Sequence, residues 1–307
     1  MSKKIIGMAV LICILFSVSS VFVCVGETNN NKIVAESSKK LEIATIDETI
    51  HIRNLKSASN MMARSIDARL KFTSETLVNA GVEANIVDEL SNEILTDVSN
   101  ADNIQISKSS SLWGDRLVDE GTQQHGGGDF IIYTVLLSDG ETIINNGIQY
   151  VIYEAQVWAY WSTPPIYRLT DVFAMTVTND AVFASQEERF GEAILYYTDF
   201  GDRLSREYSL YDNDSSNILA EYSNWNFAMS IDLPNDMVDI NGLRVREYTS
   251  MYFFLGATLY AYKAFNLYSA YGHKYIAGTA SLTSDPGVAI EFGIATYNYP
   301  GIMLSSI

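Results

Sequence analysis

The stretch Gln149-Tyr150-Val151-Ile152-Tyr153-Glu154-Ala155-Gln156-Val157-Trp158-Ala159-Tyr160-Trp161 alternates over its whole length and is rich in tyrosine, valine and tryptophan. A two-residue period is that of a β-strand, whose successive side chains point to opposite faces. The same rhythm recurs further along. Leu219–Leu233 places Trp225, Phe227, Met229, Ile231 and Leu233 on one face, and Val245–Ala261 places Met251, Phe253, Leu255, Ala257 and Leu259 on one face. Gly256 is expected to bend or bulge so long a strand. Gly287–Tyr297 alternates Val288, Ile290, Phe292 and Ile294 against Ala289, Glu291, Gly293 and Ala295. One apolar and one polar face per strand is the pattern of antiparallel sheets packed on each other. The prediction for residues 102–307 is therefore mainly β: an antiparallel, jelly-roll-like β-sandwich of about eight to ten strands.

Turn chemistry agrees. Asp199-Phe200-Gly201-Asp202 separates two strand-like runs, and Asp285-Pro286-Gly287 has the order of a type II turn. Pro164-Pro165 stops the strand that ends at Trp161. Ahead of the sheets, residues 41–101 read as a helical segment. Apolar Ile50, Leu55, Met62, Ile66 and Leu70 recur among charges without proline. Ser74–Ala80 runs into Gly81, placed as a helix stop. Short helices are expected over Ala84–Leu90 and Asn92–Val98, with Ser91 as the N-cap of the second. Residues 27–40, with Thr28-Asn29-Asn30-Asn31, read as a polar tether.

Residues 1–26 locate the protein. Lys3 and Lys4 precede an uncharged apolar run from Ile5 to Val25 that holds both cysteines, Cys13 and Cys24. This is a signal peptide or an N-terminal anchor. Cys24-Val25-Gly26 suits cleavage after Gly26, whereas the length of the run approaches the roughly 20 residues that cross a bilayer. Either way the remainder is extracellular, secreted or attached to the cell surface, and contacts a membrane only through this segment if it is uncleaved. Loss of the two lysines takes the net charge from -17 to -19. Such an acidic surface repels phosphate backbones, so no nucleic-acid partner is expected. A chain of this length buries enough surface to need no disulfide.

Chemistry-bearing motifs are sparse. The three histidines, His51, His125 and His273, are far apart in sequence, and no zinc-ligand spacing, nucleophile elbow or phosphate loop occurs. No catalytic residue is nominated and the chain is read as a non-enzyme. Glu154 and Glu291 are strand-borne acids of the type a β-sandwich glycosidase uses, with Trp158 and Trp161 as sugar-stacking candidates. No cofactor is called for. Calcium is the sole ion suggested, at Asp212 and Asp214 in the loop Asp212-Asn213-Asp214-Ser215-Ser216-Asn217, where alternate oxygen ligands in a turn compete with the reading of a plain solvated turn. Asp232, Asp236 and Asp239 form a second acidic loop. Tyr248, Tyr252, Tyr260 and Tyr262 alternate with the apolar face of their strand and are expected to form a polar-face row suited to contacting a partner.

The short helices of Thr76–Asn103, the run Trp161–Asp171 and the tyrosine-rich strands with Tyr268–Ser281 together resemble uncharacterised exported proteins of Gram-positive bacteria. That resemblance implies an exported helical-plus-β architecture and assigns no functional residue. Tyr268-Ser269-Ala270-Tyr271-Gly272-His273, followed by Ala280-Ser281-Leu282, is similar to the spacing in β-sandwich lactococcin-type bacteriocins, as is Glu120–Gly126 to their beginnings. Those peptides are small and cationic, whereas this chain is large and acidic, and Gly278 stands where they often carry a second histidine. The leading expectation is a non-enzymatic surface or secreted β-sandwich that binds a protein or glycan partner. The alternatives are a bacteriocin- or toxin-like secreted protein and a glycoside hydrolase-like enzyme.

Overall fold

The computed structural model describes residues 45–62, 65–112, 129–162, 170–178, 180–185, 188–210, 218–232, 237–238, 244–274 and 296–305. Chain order begins β1 (Thr45–Arg53), α1 (Leu55–Met62), α2 (Ile66–Asn79), α3 (Ala84–Val87), α4 (Asn92–Asn100), β2 (Asn103–Leu112), β3 (Asp129–Ser138), β4 (Thr142–Asn145) and β5 (Ile148–Trp161). It continues through β6 (Thr170–Val177), β7 (Ala181–Phe183), β8 (Arg189–Asp199), β9 (Asp202–Ser209), β10 (Ile218–Tyr222) and β11 (Asn226–Asp232). It closes with β12 (Met237–Val238), β13 (Arg244–Ala261), β14 (Asn266–Lys274) and β15 (Thr296–Ser305).

The strands form two sheets. A ten-stranded sheet runs in the order β1-β2-β3-β5-β13-β8-β9, with β4, β7 and β12 attached at its margins. A five-stranded sheet runs β10-β11-β6-β14-β15. Every ladder among the described residues is antiparallel. The antiparallel β-sandwich expected from the period-two pattern is thus the fold. Its inter-sheet core takes Val157 and Trp161 from β5 and Phe253, Leu255 and Leu259 from β13. The facing sheet supplies Phe173 and Met175 from β6, Phe227 and Met229 from β11, and Tyr271 from β14. Phe173 and Phe253 stack across the two sheets with ring centroids 4.2 Å apart.

The second face of the large sheet is not solvated. Leu70, Leu77, Ile86, Ile94 and Val98 from the helices pack on Ile104, Ile106, Tyr133, Val135, Trp158, Tyr252 and Phe254. This helical layer explains why Phe130–Leu137 of β3 is buried throughout: a strand covered on both faces carries an apolar run instead of an alternation. The helix ends follow from local sequence. Ser91 Oγ accepts the Ile94 N–H at the start of α4. Past α2, Gly81 at φ 109° accompanies Val82 N–H to Leu77 O and Gly81 N–H to Val78 O bonds, a Schellman closure.

Several expectations are corrected. Residues 45–53, assigned to the helical segment, are strand β1 paired with β2, because Ile50 and Ile52 alternate with His51 and Arg53 and point toward the helical layer. Leu219–Leu233 is a hairpin instead of one strand. β10 and β11 flank Ser223–Trp225, so Phe227, Met229 and Ile231 are buried while Trp225 is exposed. Gly256 makes no bulge. It pairs in register with Gln156 and Phe190, and a Cβ there would lie 2.0 Å from Phe190 Cε1, so glycine is required to seat that ring. The bulge of β13 lies between Tyr248 and Ser250. The Asp199–Asp202 turn joins β8 to β9 with Phe200 and Gly201 at φ 48° and 94°, a two-residue hairpin. Residues 1–40, His125, Pro164-Pro165, Asp285-Pro286-Gly287 and Glu291 lie outside the described residues. Among the described residues no helix is long and apolar enough to cross a membrane.

Candidate functional site

The tyrosine row does not form one polar face. The bulge after Tyr248 turns that ring into the inter-sheet core, where it is 3% exposed and 5.3 Å from the Tyr197 ring. Tyr252 lies under the helical layer, stacked on Tyr160 at 4.7 Å, and burial pushes its hydroxyl up. Tyr260 and Tyr262, at the end of β13, are the two that reach solvent. The Tyr262 ring meets Tyr150 edge-on at 5.8 Å and carries the Lys263 ammonium 5.2 Å above it.

Tyr260 borders a pocket of about 450 Å³. The pocket arises from a crossing of chain segments. β7 and β8 pair with the same edge of β13, at Leu259–Ala261 and at Arg246–Ala257. Phe183, Ala184, Ser185 and Arg189, at or beside the end of β7 and the start of β8, form one wall. Ser223 and Asn224, in the turn between β10 and β11 of the other sheet, form the opposite wall. The walls are tied together by the Phe183 N–H bond to Asn224 O at 2.8 Å, and the Ala184 N–H bond to Thr258 O at 2.8 Å fixes the first wall to β13. Ser223 Oγ accepts from the N–H groups of Trp225 and Asn226, which sets the turn.

Arg189 is the charged member. Its residue is 6% exposed, and Nη2 donates to Ala184 O at 2.7 Å and Ser223 O at 3.3 Å. The guanidinium carbon stands 5.7 Å from the Phe183 ring and 5.4 Å from the Phe227 ring, within cation–π range. At the rim, the Tyr260 hydroxyl donates to Glu188 Oε2 at 3.4 Å. Burial, then that carboxylate, holds the Tyr260 hydroxyl above the usual tyrosine range. The Ser185, Ser223, Asn224 and Tyr260 side chains bring hydroxyl and amide groups to the pocket, around a guanidinium whose Nη2 is bonded to two carbonyls. Arg189, Ser185, Ser223 and Asn224 were not nominated from sequence. The turn-forming Ser223-Asn224 inside an otherwise strand-like run was the one available signal.

Glu154 occupies a different place. On the helix-facing side of β5, Trp158 Nε1–H donates to Gln156 Oε1 at 2.9 Å, and Gln156 Nε2 donates to Glu154 Oε1 at 2.5 Å. Burial, then the Asp97 charge on α4, pushes the Glu154 carboxyl up to about 7. Burial also raises Asp97, with Glu93 adding to the rise. Trp158 and Trp161 are fully buried, so neither can stack on a sugar. Trp161 donates to the Tyr271 hydroxyl at 3.0 Å, and Tyr271 donates to Asp171. Asp212, Asp214, Asp236 and Asp239 lie outside the described residues, and Asp232 is exposed. Among the described residues no cluster of His, Cys, Asp or Glu side chains is arranged to hold a metal ion. Tyr268–His273, the stretch likened to a bacteriocin, is β14, paired with β6 and β15, with Tyr271 in the core.

No family model matches the chain, and no curated protein matches it. Among solved structures, the pilus backbone RrgB from Streptococcus pneumoniae aligns with 48% of this chain and 32% of its own, at 8% identity and a TM-score of 0.26. The collagen binding domain of the Erysipelothrix rhusiopathiae surface protein RspB aligns with 67% of this chain and 63% of its own, at 8% identity and a TM-score of 0.25. The collagen adhesin CNA from S. aureus aligns with 68% and 67%, at 7% identity and a TM-score of 0.22. The chain spans a third or less of the pilin structures it matches. These neighbours are Gram-positive surface proteins rich in β-structure. At such scores the likeness assigns no activity to this chain.

Proposed function

We propose that the chain is an exported, non-enzymatic β-sandwich binding module that holds a protein or glycan partner at the pocket beside Tyr260. The carrying observation is the pocket itself: about 450 Å³ between the two sheets, with a nine-tenths-buried guanidinium on its wall and an accessible tyrosine at its mouth. That volume falls in the range of about 300–1,000 Å³ typical of small-ligand sites. Export is supported by the lysine-led apolar leader and by the absence of cysteine after Cys24. The glycosidase alternative needs an exposed tryptophan beside paired acids, whereas Trp158 and Trp161 are core residues. Of the four nominated tyrosines, Tyr260 is the contact residue and Tyr262 a neighbour. Tyr248 and Tyr252 serve the cores.

The test is a panel of immobilised saccharides and peptides probed with the wild type, Tyr260→Ala and Tyr262→Ala. Tyr260→Ala is expected to lose roughly tenfold or more in affinity for whatever the wild type retains. Full retention by a folded Tyr260→Ala protein overturns the proposal.

A further inference from the structure

We infer that strand β9, the outer strand of the large sheet, pairs with β9 of a second copy of this chain in a two-fold antiparallel register centred on Ser205. β9 ends the strand order of that sheet, with β8 as its partner among the described residues. Asp202–Glu207 are exposed without interruption. The hairpin fixes which main-chain groups face outward. Phe200 and Gly201 form a two-residue turn, so Asp199 and Asp202 exchange both main-chain bonds, and Leu204, Arg206 and Tyr208 do likewise toward β8. The Leu210 N–H bond to Gly191 O continues that phase. The N–H and C=O groups of Arg203, Ser205 and Glu207 therefore point away from β8, placed to accept another strand.

Charge selects a second copy as that strand. Arg203, Ser205 and Glu207 share the face toward the helical layer, since the Arg203 guanidinium stands 5.5 Å from the Tyr196 ring and Tyr196 pairs with Ser205. Arg203 and Glu207 carry opposite charges, equally spaced on either side of Ser205. A two-fold axis through the Ser205 pair sets Arg203 against Glu207 of the partner subunit, and the converse pair forms by symmetry. The same register matches every outward N–H and C=O of the three residues. Centring on Leu204 leaves Glu207 unmatched, and centring on Arg206 sets two guanidiniums side by side. Neither Arg203 nor Glu207 makes an ion pair among the described residues. Burial, then the charges of Glu93 and Glu207, hold the Glu192 carboxyl above its usual range, so an arriving guanidinium relieves an acidic neighbourhood. Charges often guard a free edge, but a guard repels its own copy, whereas these attract it. The chain's net charge of -17 opposes association at long range. Within β9, however, Asp202 and Glu207 balance Arg203 and Arg206, and at about 0.15 M salt the field of remote charges decays over about 8 Å.

Analytical ultracentrifugation of the purified protein decides it, at about 0.15 M salt and up to about 1 mM, where even a weak dimer shows. Wild type is expected to dimerise reversibly. Arg203→Glu and Glu207→Arg each set like charges opposite one another and should weaken the dimer roughly tenfold or more, with circular dichroism unchanged. Two further measurements are specific to this register. The two single variants, mixed in equal amounts, should form a heterodimer, because each supplies the sign the other lacks. The double reversal R203E/E207R should restore the wild-type dimer to within about threefold, since both pairs are attractive again. A wild type that stays monomeric throughout overturns the inference, as does a dimer that neither single reversal weakens. Single reversals that weaken the dimer without a heterodimer on mixing and without rescue by the double reversal overturn it as well. None of these outcomes bears on the pocket beside Tyr260, which ligand retention tests separately.

Discussion

Replacing Glu154 by glutamine should make the protein more stable at neutral pH and remove part of its pH sensitivity. Glu154 sits between the sheet and α4, accepting from Gln156 and facing Asp97, and its carboxyl is pushed up to about 7 against an ordinary 4.5. The folded state therefore keeps this proton over a window in which the unfolded chain has released it. Between about pH 4.5 and 7 the folded state binds more protons, so stability falls as pH rises and levels off above about 7. One pKa unit corresponds to about 1.4 kcal/mol, which puts the loss on the order of 2–3 kcal/mol, shared with Asp97. An amide reproduces the protonated acid, donating toward Asp97 and accepting from Gln156, without ionising. Glu154→Gln should thus match the wild type near pH 4 and exceed it at pH 7.5 by on the order of 2–3 kcal/mol, roughly 4–12 °C in Tm for a domain of this size. Urea midpoints taken from pH 4 to 8 at constant slope provide the readout. Parallel curves for the two proteins, or a glutamine variant that is weaker at pH 7.5, would refute the reasoning.

Three further changes follow from local geometry. Gly256→Ala places a methyl group 2.0 Å from Phe190 Cε1, and the forced repacking should cost about 1–3 kcal/mol in urea denaturation. Phe200→Asn at φ 48°, beside Gly201 at 94°, supplies the Asn-Gly pair such hairpins favour. It should raise stability by about 0.5 kcal/mol by the same measurement, since the Phe200 ring is exposed. Ser91→Ala removes the cap on the Ile94 N–H and should cost about 1 kcal/mol, visible as faster amide exchange across α4.

The legible part of the sequence was the part in which one physical demand dominates. β5 and β13 are long strands with one face committed to the inter-sheet core, so their alternation stands out. Ser91 and Gly81 also spoke plainly, because caps are local events. β1 did not, since His51 and Arg53 on its exposed positions blur a strand into a charged helical pattern. Tyr248 was misplaced because a bulge reverses the face of every residue beyond it, and no residue type announces that shift. Tyr252 was misplaced because the helical layer covers the second face of the sheet, which a single strand cannot reveal. The pocket was invisible for a related reason. Arg189, Ser223 and Tyr260 come from three separate segments, and they meet because β7 and β8 share one edge of β13 while the β10–β11 turn bonds to Phe183.

Amide hydrogen exchange of the wild-type protein, with and without the panel saccharide or peptide it retains most tightly, tests the binding-module claim most directly. Protection is expected at Phe183–Ser185, Ser223–Asn224 and Tyr260, with the exposed β4–β5 hairpin unchanged. Protection confined to that hairpin, or a panel from which the wild type retains nothing, would contradict it.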